Sequence, residues 1–272
     1  MSPLSPRVLT IAGSDCSGGA GIQADLKTFA AHRVYGMSVV TAVTAQNTLG
    51  VFGVHPVPPR LVTQQIDVVF DDIGVDAVKI GMLFDRSIVE AVAEALGRHC
   101  GPPIVLDTVM ISKSGAQLLE DEAVESLREV LIPLATIVTP NLPEAARLTG
   151  MPIGTESERE AVAERLAEEC GSVLLKGGHA AGSEIRDLLV TKRGLVRFVH
   201  HRINTTSTHG TGCTVSAAIA AQLGMGADIE YAVDAAIEYT TGAIEAAVPL
   251  GQGSGPIDHL YRMDALSGEK AS

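Results

Sequence analysis

Apolar runs of strand length alternate along this chain with segments whose apolar residues recur at helical spacing, the pattern of repeated βα units. The runs predict strands over 7–12, 37–45, 77–80, 103–107, 136–139 and 172–176, with an antiparallel pair over 185–191 and 195–201. The helical segments predict helices over 20–32, 60–71, 87–98, 121–131, 144–148, 157–170, 214–223 and 229–248. No internal repeat or low-complexity tract interrupts the alternation. The expected fold class is α/β, a mostly parallel central sheet flanked by helices.

In an open parallel sheet, ligands bind at the carboxyl ends of the strands. Here those ends carry the unusual residues: Gly13-Ser14-Asp15, Gln46-Asn47, Gly81-Met82, Asp107-Thr108, Asn141 with Glu144, and Lys176-Gly177-Gly178. One edge of the sheet therefore gathers a whole site.

Composition narrows what that site can serve. At 272 residues the chain is near the upper end for one continuous core, and no linker divides it, so a single domain over 1–272 with short tails is expected. Hydrophobic residues make up 46% but aromatics only 3%, with no Trp, so burial rests on Val, Leu, Ile and Ala, the usual content of covered parallel strands. A formal net charge of −12 argues against nucleic-acid and anionic-membrane partners, which call for a basic face. Any phosphate must be held locally, by backbone amides, a few cations and metal. Cys16, Cys100, Cys170 and Cys213 are scattered without a CxxC pair, which suits reduced thiols and a cytoplasmic location. No apolar run approaches the roughly 20 residues of a membrane span, and Met1-Ser2-Pro3-Leu4-Ser5-Pro6 lacks the charged and apolar regions of a signal peptide.

The richest stretch is His209-Gly210-Thr211-Gly212-Cys213-Thr214, which runs into Val215-Ser216-Ala217-Ala218-Ile219-Ala220-Ala221. Glycines opening an apolar helix can present unpaired N–H groups to an anion, with the positive end of the helix dipole behind them. Cys213 falls in the first turn, where a thiol ionises most readily. The Gly-Lys-Ser/Thr ending of a Walker A loop is missing. A plain glycine turn before a helix has the same local spelling, so the rest of the chain decides.

Other candidates are individually ambiguous. Gly19-x-Gly21-x-x-Ala24 fits a loose dinucleotide fingerprint, but Thr44-Ala45-Gln46-Asn47 stands where an acid should hold the ribose, which disfavours a dinucleotide-dependent oxidoreductase. Asn141-Leu142-Pro143-Glu144 spells a capping box, yet Glu144 with Asp107 could equally organise Mg²⁺. Lys176, ahead of two glycines, can reach phosphates as a point charge. His99-Cys100 and His209 with Cys213 lack a second pair at zinc spacing, and Ser14 and Ser216 lack a nucleophile elbow.

Taken together, Thr10–Asp15, Ser17–Thr28, Thr44–Thr48, Lys79–Leu83, Leu106–Met110, Thr139–Ala145, Leu175–His179 and Asn204–Thr214, in that order along the chain, resemble the hydroxymethylpyrimidine/phosphomethylpyrimidine kinase family, the thiamine-biosynthesis branch of the ribokinase-like superfamily. The resemblance implies a three-layer α/β/α fold and two phosphorylations dependent on ATP and Mg²⁺. It assigns Gln46 to the pyrimidine edge and Gly13, Ala20, Thr44, Met82 and Val109 to its pocket. Asp107, Asn141 and Glu144 would organise metal and phosphates, Lys176 and Thr211 would contact ATP phosphates, and Gly210, Gly212 and Cys213 would form the anion hole. A homodimer is the expected assembly. Two positions depart from the pattern: Cys16 where Pro is expected, and Thr44 where an aliphatic residue is usual. A pyridoxal kinase of the same superfamily is the nearest alternative, because a flat heteroaromatic alcohol suits both pockets. A non-catalytic binding module is disfavoured, since Lys176, Asp107, Glu144 and Cys213 exceed what binding a pyrimidine requires.

Overall fold

The computed structural model describes residues 5–112, 115–180 and 182–263, so the expectations about residues 1–4 and the tail beyond 263 fall outside it. The strands are β1 (Arg7–Asp15), β2 (Tyr35–Asn47), β3 (Gly50–Pro56), β4 (Ala77–Ile80), β5 (Ile104–Leu106), β6 (Ile137–Val138), β7 (Val173–Leu175), β8 (Glu184–Thr191) and β9 (Gly194–His201). The helices are α1 (Gly21–Ala31), α2 (Pro59–Asp72), α3 (Arg86–Arg98), α4 (Asp121–Ser126), α5 (Leu142–Thr149), α6 (Glu156–Ala167), α7 (Thr211–Gly224) and α8 (Ile229–Glu245). Among the described residues they build one sheet in the order β3-β2-β1-β4-β5-β6-β7-β8-β9. Strands β2 to β7 through β1 pair in parallel, whereas β3, β8 and β9 join antiparallel at the two edges.

Alternate strand residues feed two cores, as a pleated sheet covered on both faces requires. Leu9, Ile11, Val78, Ile80 and Leu106 pack under α2 to α6. Val8, Ala77, Val105 and Ile137 pack under α1, α7 and α8. The result is the three-layer α/β/α sandwich. Helix α7 crosses the middle of its face because it is built from small residues: Ala217, Ala218, Ala220 and Ala221 are fully buried.

The structure redraws several boundaries. β1 continues past residue 12 through a register shift between Ala12 and Ser14, which carries Asp15 into pairing with Thr44. β3 was not expected, because an edge strand with mostly half-exposed residues lacks the apolar run that marks a covered one. The helix expected over 121–131 is broken into α4, a π-helical turn Leu127–Leu131 and a 3₁₀ turn Ile132–Leu134, where Pro133 has no N–H for an α-helical ladder. Helix α5 starts at Leu142, ahead of the expected 144, and α7 starts at Thr211, ahead of 214.

Candidate active site

From β1 the chain winds one way to β2 and β3, then returns to β4 on the other side of β1. Such a reversal opens a crevice outside the carboxyl ends of the two central strands. A cavity of about 510 Å³ lies there, and its lining contains every residue to which the family resemblance assigns a role: Gly13, Ala20, Thr44, Gln46, Met82, Asp107, Val109, Asn141, Glu144, Lys176, Gly210, Thr211, Gly212 and Cys213.

One wall is the start of α7. Gly210 takes φ +79 at the N-cap, and a Cβ there would overlap Gly19 O, so both the left-handed backbone and the close approach require glycine. Thr214 N donates to Gly210 O at 2.9 Å, which leaves the amides of Gly212 and Cys213 in the first turn without helical partners. Cys213 corrects the expectation of a readily ionised thiol. Burial pushes its pKa up to about 11, and although nearby Lys79 pulls it down, the carboxylates of Asp107 and Asp25 push the other way.

The floor is charged. Lys176 Nζ donates to Asp107 Oδ1 at 2.9 Å, linking the ends of β7 and β5. Ser216 Oγ on α7 stands 3.2 Å from Asp107 Oδ2, which gives that serine a supporting place beneath the carboxylate. Burial opposes the Asp107 charge, but Lys176 and then Lys79 outweigh it and hold the pKa below its ordinary value. For Lys176 burial likewise opposes the charge, and Asp107 followed by Glu144 outweighs it, raising the pKa. Glu144 has the opposite fate. Burial drives it up to about 7, Lys176 offsets this in part, and Asp107 adds to the rise.

The capping box is present as well: Glu144 N donates to Asn141 Oδ1 at 3.0 Å, and Asn141 N donates to Glu144 Oε2 at 2.9 Å. Thr108 Oγ1 adds a bond to the same Oε2 at 3.0 Å. The capping and chemical readings of Glu144 are therefore compatible, because the cap aims the carboxyl into the cavity. Among the described residues no group of three or more His, Cys, Asp or Glu side chains forms a metal cage. Two buried carboxylates, one of them held short of full ionisation, suit a cation that completes its shell with water and phosphate oxygens, the habit of Mg²⁺.

The opposite half of the cavity is an apolar slot with a polar end. Met82 and Val109 line it, and Met82 Sδ would be 3.0 Å from a Cβ at Gly13. Gln46 lies at the end of β2, and Cys16 Sγ donates to its carbonyl at 3.1 Å. Two participants went unassigned in the sequence. His209 Nε2 lies 2.8 Å from Asp15 Oδ2 and 3.2 Å from Gln46 Nε2. Lys79, fully buried in β4, pairs with Asp25 at 2.8 Å, and Thr10 Oγ1 donates to the same Oδ2 at 2.6 Å. A lysine inside the apolar strand Ala77-Val78-Lys79-Ile80 was the available signal for the second.

The glycine-rich turn after β1 is not free to hold a pyrophosphate. Ser17 N donates to Asp15 Oδ1 at 2.9 Å, Ala20 N to Asp15 Oδ2 at 2.8 Å and Gly18 N to Asp15 O at 2.9 Å. Three of its amides already serve Asp15, which further disfavours the dinucleotide reading.

Comparison with known proteins agrees with this geometry. A family model described as phosphomethylpyrimidine kinase matches residues 15–258. The chain is 47% identical over 264 residues to the hydroxymethylpyrimidine/phosphomethylpyrimidine kinase of Bacillus subtilis, covering 96% of this chain and 97% of that one. It is 50% identical over 254 residues to the thiamine biosynthesis bifunctional protein ThiED of Geobacter sulfurreducens, covering 93% of this chain but only 52% of that longer protein. Among solved structures, an ADP complex of Bacillus subtilis pyridoxal kinase matches with a TM-score of 0.87 at 37% identity, covering 97% of this chain and 100% of that one.

Proposed function

The chain belongs to the phosphomethylpyrimidine kinase family and is a phosphotransferase; on that premise we propose that it carries out two successive ATP-dependent phosphorylations in thiamine biosynthesis. The first goes to the hydroxymethyl oxygen of 4-amino-5-hydroxymethyl-2-methylpyrimidine. The second goes to the monophosphate so formed and gives the diphosphate. The observation that carries this reading is the union, in one cavity, of a slot ending at Gln46 with the buried Asp107 and Glu144 and the half-buried Lys176 beneath the start of α7. Binding alone would need the slot and not the charges.

Roles follow from position. Gly13, Ala20, Thr44, Met82 and Val109 enclose the ring, and Gln46 reads its polar edge. The amides of Gly212 and Cys213, behind the Gly210 turn, stabilise charge on the transferring phosphoryl group, and Lys176 and Thr211 hold ATP phosphates. Asp107 and Glu144 would hold Mg²⁺, with Asn141 orienting Glu144; the ion supplies neutralisation of phosphate charge when bound. Cys213 lines the cavity in the first turn of α7, and in this reading it matters more in the first step. An alcohol has a proton to lose, whereas a phosphomonoester with a second pKa near 6 is already largely anionic at pH 7.

We read the chain as one kinase domain, working in the cytoplasm as a homodimer. Four unpaired cysteines support the reducing compartment, and Phe52, 71% exposed on edge strand β3, supports a partner subunit; light scattering checks the mass. The pyridoxal kinase likeness keeps a second substrate in view. With ATP and Mg²⁺, kcat/KM for hydroxymethylpyrimidine should exceed that for pyridoxal. The reverse preference overturns the reading.

A further inference from the structure

Gln46 is held between two neighbours whose protons are already committed. On one side, Thr44 Oγ1 donates to Ser14 O at 2.9 Å, so its single proton is spent, yet it also stands 3.3 Å from Gln46 Oε1. On the other, His209 Nε2 is 2.8 Å from Asp15 Oδ2 and 3.2 Å from Gln46 Nε2. Burial raises the Asp15 pKa, but the bonds from His209 and Ser17 outweigh it and hold the group below its ordinary value, so the carboxylate has no proton to give. The proton between Asp15 and His209 therefore sits on the imidazole. Drawn this way, Gln46 faces an acceptor with its oxygen and a donor with its nitrogen.

A carboxamide is nearly symmetric in shape, so its neighbours decide which end is which. Turning the Gln46 amide by half a turn removes both conflicts at once. The imidazole N–H then points between Asp15 Oδ2 and the amide oxygen, and one amide N–H donates to Thr44 Oγ1. Each contact in the chain from Ser14 to Asp15 then joins a donor to an acceptor, as a mostly buried network requires.

We propose that Thr44 and His209 are positioning residues that lock the Gln46 amide with its oxygen toward His209 and its nitrogen toward Thr44, and so dictate which way round a 4-aminopyrimidine lies. The second amide N–H remains for a ring nitrogen, and the second lone pair of the oxygen for an amino group. In a 4-amino-5-hydroxymethylpyrimidine these are neighbours, N3 and the 4-amino group, and the hydroxymethyl group adjoins the amino group. The amino group faces His209, and His209 leads directly into Gly210 and Cys213. The hydroxymethyl oxygen is thereby turned toward the anion site. The opposite amide orientation would turn it away. This inference gives a purpose to the threonine that stands where the family pattern has an aliphatic residue, and it rests on the substrate proposed above.

Two measurements test it separately from that substrate. Neutron diffraction from deuterated, ligand-free crystals distinguishes the amide nitrogen from its oxygen. The lock requires the two deuterons on the atom facing Thr44, and deuterons facing His209 overturn it. The second measurement compares the 4-amino ring with its 4-oxo analogue, whose N3–H and carbonyl reverse the donor and acceptor. Thr44→Val should lower the amino-over-oxo preference in kcat/KM by about tenfold or more, and Thr44→Ser should retain it. A merely structural threonine would weaken both substrates together, and an unchanged ratio in Thr44→Val overturns the lock. If the native protein phosphorylates neither ring, the substrate reading falls while the neutron map still decides the lock.

Discussion

The two halves of the cavity use polar groups in opposite ways. Under α7, the working groups are whole charges: Asp107, Glu144 and Lys176 are set close together at the ends of β5, α5 and β7, with Lys176 2.9 Å from Asp107. Around Gln46 the working groups are hydrogen-bond directions, passed from Ser14 through Thr44 and Gln46 to His209 and Asp15. A point charge acts over several ångströms and tolerates small displacement, especially in a buried site. A hydrogen-bond chain fails if one donor is turned. The phosphate half should therefore govern kcat, and the slot should govern KM and selectivity.

Lys176→Met strikes the first half hardest. It removes the cation opposite Asp107 and should lower kcat by about 10²–10³ while the KM for the pyrimidine changes little. A thermal melt alongside the kinetics separates this from unfolding. Gln46→Leu strikes the second half and should raise the KM for the aminopyrimidine by roughly ten- to a hundredfold at nearly constant kcat, since a buried polar edge of the substrate loses its partner. If Gln46→Leu fell mainly in kcat, the division of labour would be wrong.

Cys213→Ala sharpens the boundary between the halves. With the thiol held up to about 11, it is overwhelmingly protonated at pH 7, so under the proposed mechanism only its small thiolate fraction can take the proton of the alcohol. Its loss should cost the first phosphorylation about tenfold more than the second in kcat/KM, and equal losses would remove its special role.

Glu144→Gln is read in the stability of the fold, not in the reaction rate, and reverses the usual sign. The Glu144 pKa of about 7 lies above its ordinary 4.5, so between those values the folded chain keeps a proton that the unfolded chain has released. Stability of the ligand-free protein then falls as pH rises through that window. Glu144→Gln should stabilise the ligand-free protein at pH 8 by up to about 3 kcal/mol, and not at pH 4, while Mg²⁺ should narrow the difference by stabilising only the native carboxylate. Denaturant melts at the two pH values check this.

Much of this was legible because strand ends in a parallel sheet are abrupt. Asp107 and Lys176 each follow a run of buried Val, Leu and Ile, so a charge there stands out. The same logic hid β3, whose edge position leaves it without such a run, and misjudged Cys213, where the helix dipole was visible in the spelling and the burial was not. The chain from Asp15 to His209 spans 194 positions, and only folding brings its donors and acceptors into one order.

In the proposed function, one cavity phosphorylates an alcohol and then its own product. Mass spectrometry of a time course from hydroxymethylpyrimidine with ATP and Mg²⁺ should show the monophosphate rise first and the diphosphate follow, with both suppressed by Lys176→Met. A monophosphate that accumulates without ever becoming diphosphate, or a diphosphate whose formation survives Lys176→Met, would contradict the account.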